Sequence, residues 1–403
     1  MINKRLSLLA FAGWFCVLLF AQQSEKNYTV IVSLDGFRWD YAEMYNTPHL
    51  DRIASRGVKA IMLPSYPAST FPNHYTLATG LVPDHHGIVN NSFWDPVTQR
   101  RYSMGDSLTR NDPDYYLGEP IWITAQKQGV STGITYWVGS DIKIKGMYPD
   151  SYLFYDNNNL LSYEERIDRT IAFLERAEDE RPGLIMMYME EPDGIGHRSG
   201  PVSEQTGQVV EYLDSLMGVL KDRIDALPIA SRVNLIVTSD HGMAEMSTER
   251  VVDMNLYLNP EWCEVIDGRA PTSVFSKPGY RDSIYLALKD VPHIQVWKKE
   301  EIPAGLHYGS SERVGDIVIA PDTGWQFTDK PGTSKGAHGF SPFSPEMQVI
   351  FRACGPDFKE GYTSESFVNV DIYPLLAYLL RITPEETDGR FERVKGMIKF
   401  SMD

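Results

Sequence analysis

Tyr28-Thr29-Val30-Ile31-Val32-Ser33-Leu34-Asp35-Gly36 is a short apolar run, rich in β-branched residues, that stops on a carboxylate and a glycine. A run of this length, closed by a turn signal, reads as a buried strand. The design recurs. Gly183 to Met189 leads into Glu190-Glu191-Pro192-Asp193-Gly194-Ile195-Gly196-His197, and Val233 to Thr238 leads into Ser239-Asp240-His241-Gly242. Met347 to Phe351 is a fourth such run. Helical patterns lie between them: Pro48 to Arg56, Tyr75 to Thr79, Tyr163 to Ala177, Val209 to Leu227, and a closing apolar helix from Asp371 to Leu380. Strands alternating with helices imply an α/β fold, with a mainly parallel central sheet flanked by helices on both faces. In such sheets ligands bind beyond the carboxyl ends of the strands.

The 403 residues are 42% hydrophobic and 23% charged, an ordinary globular composition that supports a sizeable core. The formal net charge of −16 repels polyanions, so no stable nucleic-acid binding through a basic surface is expected. Bound dications could still reverse the field inside one pocket. Lys4 and Arg5, the apolar run Leu6 to Phe20 and then Ala21 have the layout of a secretory signal peptide, residues 1–21, cleaved near Ala21. The run is shorter than the ~20 apolar residues of a spanning helix. No other segment looks transmembrane, and the mature chain is expected in the periplasm or outside the cell. Residues 22–403 are expected to form a single catalytic domain, with loop insertions near 111–118, 146–159 and 321–337. Cys16 leaves with the leader; Cys263 and Cys354 either pair or stay as thiols. No C-x-x-C motif exists, so any metal must be held by His and carboxylates.

Acidic residues and histidines just past the strand ends carry the chemistry. Asp35, Asp193 with His197, Asp240-His241, and His338 in Gly336-Ala337-His338-Gly339 supply six nitrogen and oxygen ligands. A lone Asp after a strand is usually a cap or turn former, but these groups recur at strand ends in one chain. Two zinc ions with three protein ligands each would keep one position open on each ion. His49, His74, His85, His86, His293 and His307 are left as structural or solvated. Pro67-Ala68-Ser69-Thr70-Phe71-Pro72-Asn73-His74 reads as a loop entering a helix, with Pro72 in its first turn. A hydroxyl there sits where the helix terminus favours anions. An N-cap is the usual fate of such a residue. Beside a metal, Thr70 becomes a nucleophile instead.

These pieces, with Ala78-Thr79-Gly80, Pro83 to Ile88, Asn90-Asn91, His338-Gly339-Phe340 and Asn369 to Pro374, resemble a bacterial member of the nucleotide pyrophosphatase/phosphodiesterase family, in the alkaline phosphatase superfamily. The resemblance covers nearly all of the mature chain and implies an alkaline-phosphatase-like fold. It implies that Asp35, Asp240 and His241 hold one zinc together with the Thr70 oxygen, and that Asp193, His197 and His338 hold the other. Thr70 would attack phosphorus in line and form a phospho-threonine ester, which water then releases. Asn91 would donate a hydrogen bond to the non-bridging oxygen. The substrate implied is a nucleotide or nucleotide derivative, cut at a phosphodiester or pyrophosphate bond to give a nucleoside 5′-monophosphate. Similar proteins grip the base between aromatic rings, which points here to Phe71, Trp137, Tyr155 and Tyr188. The segment from Trp137 to Tyr155 is complete, whereas the lysophospholipid-cleaving relative has it shortened; Val138 stands where the pattern has proline.

Phosphomonoester or phospholipid-type hydrolysis on the same fold is the nearest rival. A monoester has an extra charged oxygen that wants an arginine clamp or a third metal, and Arg38 and Arg198 are the basic residues close to ligands in sequence. A sulfatase would need a C/S-x-P-x-R motif at the nucleophile. Gly129-Val130-Ser131-Thr132-Gly133 matches G-x-S-x-G but follows a helical stretch and opens a strand, the reverse of a nucleophile elbow. A metal-stabilised binding protein without activity would keep zinc and show no turnover.

Overall fold

The computed structural model describes residues 26–156 and 158–399; the expected leader, residues 1–21 with Cys16, lies outside the described residues. In chain order the first five strands of the central sheet are β1 (Tyr28–Leu34), β2 (Gly57–Leu63), β3 (Thr132–Thr135), β4 (Leu184–Met189) and β5 (Val233–Thr238). The chain then leaves to build a separate antiparallel sheet from β6 (Cys263–Gly268), β7 (Thr272–Ser276), β8 (Ile294–Lys298) and β9 (Ile317–Pro321). It returns as β10 (Val349–Cys354), β11 (Tyr362–Thr363) and β12 (Phe367–Val368). The central sheet has the order β11-β2-β10-β5-β1-β4-β3, with β12 also on β2.

β1 pairs in parallel with β4 and β5, and β3 with β4. β10 runs antiparallel to both β2 and β5. The sheet is mainly parallel, as expected, with β10 as its one antiparallel strand: the run placed at Met347 to Phe351 becomes Val349–Cys354 in the opposite direction. An apolar run carries no direction of its own. The inserted sheet leaves from the carboxyl end of β5 and returns there, which forces the next strand to run backwards.

Alternation along β1 sorts its side chains between two cores. Ile31 packs with Met186, Ile236 and the apolar helix Ile372–Leu380 on one face. Val30, Val32 and Leu34 face Leu50 and Ile53 of the helix Pro48–Ser55, Phe173 of Tyr163–Leu174 and Leu213 of Glu204–Asp225. Helices therefore do cover both faces. The inserted sheet has its own core around Val274, Ile284 and Ile317. The sequence reading missed it, because its strands are short, half-exposed and interrupted by loops. Cys263 lies in that core and Cys354 in one of the central ones; both are free thiols. Ser131 sits between the helix Ile121–Lys127 and β3, so the G-x-S-x-G match builds no elbow. Among the described residues no helix is long and apolar enough to cross a membrane.

Register is what positions the site. Leu34 lies opposite Met189, and Ser33 opposite Thr238, so β1, β4 and β5 end level. The residues that follow each strand emerge side by side at one edge. At the other end of the molecule, β2 and β10 approach so closely that a Cβ on Gly57 would lie 2.0 Å from the Ala353 carbonyl oxygen. Gly57→Ala is expected to destabilise the protein by about 1–3 kcal/mol through overpacking. Calorimetry should show a melting midpoint lower by several degrees; an unchanged midpoint would contradict this packing.

Candidate active site

Past the level strand ends, backbone contacts lock the loops together. The Asp193 N–H donates to the Asp35 carbonyl at 2.9 Å. The Gly36 N–H donates to Asp240 Oδ1 at 3.2 Å. Gly36 has a φ of +71°, and a Cβ on it would lie 2.9 Å from Asp193 Cα, so only glycine lets the two loops approach this far. Asp193 opens the helix Asp193–Ser199, which places His197 one turn on and on the same face. The short strand Gly336–Ala337 delivers His338.

The six expected ligands fall into two triads. Asp35, Asp240 and His241 form one and Asp193, His197 and His338 the other, with the ligating atoms of each within 4.8 Å of one another. His241 and His338 stack at 3.7 Å between centroids and join the triads. In each histidine one ring nitrogen is committed. Nδ1 of His197 lies 2.7 Å from the Gly336 carbonyl oxygen, that of His241 2.8 Å from Gly242, and that of His338 3.2 Å from Ala68. A carbonyl only accepts, so each Nδ1 carries the proton and each Nε2 offers a lone pair.

Those lone pairs face carboxylates. His241 Nε2 lies 3.3 Å from Asp35 Oδ1 and 3.2 Å from Asp240 Oδ2. Nε2 of His197 and of His338 lie 3.3 Å and 3.6 Å from Asp193 Oδ1. All three carboxylate oxygens are buried without a hydrogen-bond donor. Acceptors crowded on acceptors are repulsive unless a cation stands between them. The donor set therefore fits metal ions, and nitrogen with carboxylate oxygen is the chemistry of zinc. Charge balance agrees. Burial pushes the Asp35 carboxyl well up, and the neighbouring Asp240 and Asp193 charges push it further. Burial acts on Asp193 and Asp240 as well, but the surrounding histidines hold both below the usual carboxylate range. Burial, with the His241 ring beside it, lowers His338 to about 3.

Thr70 is the first residue of the helix Thr70–Thr79, and Ser69 holds the N-cap position without a side-chain cap bond. The Thr70 hydroxyl instead lies 2.9 Å from His241 Nε2. Asn91 Oδ1 accepts from the Phe71 N–H at 2.9 Å, which fixes its amide beside that helix start. Two neighbours escaped the sequence reading as site residues. Asn73 Nδ2 donates to the Pro67 and Ser69 carbonyls at 2.9 Å each and clamps the loop before Thr70. His74, fully buried, lies 3.0 Å from the Thr70 carbonyl, 3.2 Å from Asp240 Oδ2 and 2.9 Å from Ser33 Oγ. Its signal was the four-residue spacing from Thr70.

A cavity of about 400 Å³ opens on Asp35, Thr70 and Asp193, and all four expected aromatics line it. Phe71 and Tyr155 are half-buried; Trp137 and Tyr188 are buried. The Trp137 indole N–H donates to the His74 carbonyl at 3.0 Å, and the Tyr188 hydroxyl donates to Asp35 Oδ2 at 2.6 Å. These two rings form fixed walls, and Tyr188 also holds a carboxylate in place. Arg166, buried, forks onto both oxygens of Glu190 at 2.9 Å each and donates to the Tyr188 carbonyl at 2.7 Å. That pair at the rim had no sequence signal.

The two outer histidines should titrate apart in the metal-free protein. Burial lowers the His197 pKa, but the Asp193 carboxylate beside it favours the protonated ring and raises it overall. His338 should keep its neutral ring resonances from pH 8 down to pH 5, while His197 takes up its proton above the ordinary value near 6.5. Ring-nitrogen NMR reads both. A His338 ring that titrates near 6.5 would contradict the burial described.

Comparison with known proteins agrees with this geometry. The sequence model of the type I phosphodiesterase/nucleotide pyrophosphatase family matches residues 29–341. Ectonucleotide pyrophosphatase/phosphodiesterase family member 5 of Homo sapiens is 34% identical over 387 residues, 95% of this chain and 80% of its own length. Bis(5′-adenosyl)-triphosphatase ENPP4 of Bos taurus is 34% identical over 377 residues, 92% of this chain and 81% of its own. A solved structure of murine family member 5, an inactive threonine-to-alanine variant in complex with AMP, matches with a TM-score of 0.87 at 36% identity and covers 93% of this chain and 100% of that one. The architecture is the alkaline-phosphatase-like α/β fold that the sequence implied. With the family model spanning both triads up to His338 and relatives matching over nearly the whole chain, this protein belongs to the type I phosphodiesterase/nucleotide pyrophosphatase family.

Proposed function

We propose that the protein is an exported two-zinc hydrolase that cuts phosphodiester or pyrophosphate bonds of nucleotides and releases nucleoside 5′-monophosphates. The observation that carries this reading is the Thr70 hydroxyl, 2.9 Å from His241 Nε2, at a helix start beside two triads of Nε2 lone pairs and donor-less carboxylate oxygens. Asp35, Asp240 and His241 with Thr70 hold one ion, and Asp193, His197 and His338 the other. The ions, when bound, supply the Lewis acid that makes the threonine hydroxyl a nucleophile and balances phosphoryl charge. The chain does the rest. The helix start and Asn91 orient the non-bridging oxygen. Thr70 Oγ1 gives up its proton to solvent and bonds to phosphorus as the leaving oxygen departs with its electron pair; water then adds its hydroxyl to phosphorus, cleaves the phospho-threonine ester and returns a proton to Oγ1. Phe71 and Tyr155 offer ring faces to a base, between the walls set by Trp137 and Tyr188.

Residues 22–403 are read as one catalytic unit, because residues near β6, β7 and β9 line a cavity that reaches His197 and His338. Export to the periplasm or the medium rests on residues 1–21. The relative inactivated by a threonine-to-alanine change and seen with AMP supports the nucleophile and the substrate class. A diester fits better than a monoester. Arg38 is engaged by Asp40 and the Met243 carbonyl and is not left to clamp an extra phosphate oxygen.

Thr70→Ala is the test. It is expected to keep two equivalents of zinc and to lose at least about 10³-fold in kcat on a nitrophenyl ester of a nucleoside 5′-monophosphate. Retained turnover would rule out the nucleophile. Chelation should abolish wild-type turnover and added zinc restore it, and nitrophenyl phosphate should be the poorer substrate.

A further inference from the structure

Arg166 stands behind the aromatic cavity and lines no part of it. Its side chain is 2% exposed, so a permanent charge lies almost wholly out of water. Burial of a cation is tolerated only where partners surround it. The guanidinium donates through Nε to the Leu161 carbonyl at 3.0 Å, through Nη1 to the Tyr188 carbonyl and to Glu190 Oε2, and through Nη2 to Glu190 Oε1. Its Cζ lies over the Tyr136 ring at 4.7 Å and over the Tyr163 ring at 5.0 Å. A cation over a ring face is attracted by the ring quadrupole.

Most of these partners belong to the cavity wall. Tyr136, Tyr188 and Glu190 all line the cavity, as does Tyr155. Tyr136 is held in the left-handed region at φ +63°, a conformation that a residue with a Cβ keeps only where its surroundings fix it. Its ring lies under Arg166, and its hydroxyl accepts from the Leu161 N–H at 3.1 Å, so Leu161 ties both side chains together. The Tyr155 ring meets Tyr136 edge-on with centroids 5.7 Å apart and approaches Tyr188 at 6.4 Å. Burial, with the Glu190 charge beside it, raises the Tyr155 hydroxyl above its ordinary pKa. One guanidinium therefore reaches three rings of the wall: Tyr136 directly, Tyr155 through Glu190, and Tyr188 through its carbonyl.

We propose that Arg166 is a positioning residue for substrate binding, which acts through Glu190, Tyr136 and the end of β4 to hold the rings that face the nucleotide base in one geometry. The assignment rests on the phosphodiesterase reading above. It needs arginine and not merely a positive charge. The planar fork matches both oxygens of a carboxylate, and its flat face lies against the tyrosine rings; the point charge of lysine does neither. Arg166 touches neither the candidate metal ligands nor Thr70, so its effect falls on how the base is gripped. A residue that merely pinned the helix Tyr163–Leu174 to the sheet would affect every substrate alike.

The test compares kcat and KM of the zinc-loaded protein on two diesters, the nitrophenyl ester of thymidine 5′-monophosphate and bis(4-nitrophenyl) phosphate, which has no base. Arg166→Lys keeps the charge and loses the fork. It is expected to lower kcat/KM on the nucleotide ester about tenfold, chiefly through KM, and on the base-free diester less than about threefold. Glu190→Gln keeps the side-chain volume at a partly exposed site, and should show the same split even where Arg166→Lys does not fold. The double variant should lose no more than the weaker of the two single variants, because both changes break one contact. Equal losses on the two diesters, or an unchanged KM on the nucleotide ester, would overturn the assignment. A wild-type protein inactive on both diesters would overturn the phosphodiesterase reading itself, so the two failures are told apart.

Discussion

Three carboxylates, Asp35, Asp193 and Asp240, are held in one water-poor pocket with no hydrogen-bond donor on the oxygen each turns toward a histidine. This crowding of like charge is the constraint on which the rest of the structure depends. It is costly in the bare protein, and the architecture enforces it anyway. β1, β4 and β5 end level, Gly36 lets the Asp35 and Asp193 loops touch, and backbone hydrogen bonds tie the loops to each other. Three histidines are oriented by backbone carbonyls so that their free nitrogens point into the same space. An arrangement that stores repulsion and aims lone pairs at it makes sense as a receptor for cations.

The candidate nucleophile belongs to the same construction. Thr70 is brought to His241 by a helix whose first turn is clamped by Asn73 and whose interior is anchored through His74 to Ser33 and to Asp240. Fixing the hydroxyl against the pocket, rather than leaving it to cap the helix, is the step that turns a metal-binding cluster into a candidate phosphoryl-transfer site. Tyr188 links this centre to the aromatic cavity, with its hydroxyl on Asp35 and its ring against His74. The aromatic cavity and the carboxylate cluster therefore share Tyr188, and a substitution there reaches Asp35 directly.

The inserted antiparallel sheet adds a second level of organisation. It has its own core, yet its β6–β7 turn walls a cavity at the far side of the metal-ligand cluster. Two cavities of different lining, one aromatic and one cationic, reach the same cluster of candidate ligands.

Much of this was legible in the sequence because it is local. Buried strands, their closing Asp residues, the Asp193–His197 helical spacing and the Pro72 helix start are all set within a few residues by periodicity and turn chemistry. The sequence by itself determined the α/β class, the identity of the six candidate ligands and the candidate nucleophile. Tertiary structure alone decided the rest. The reversed direction of β10, the core of the inserted sheet, the pairing of Glu190 with Arg166 and the second cavity all depend on contacts between residues far apart in the chain. Register between strands, and the place where an insertion hands the chain back, are properties of packing, and no short stretch of residues encodes them.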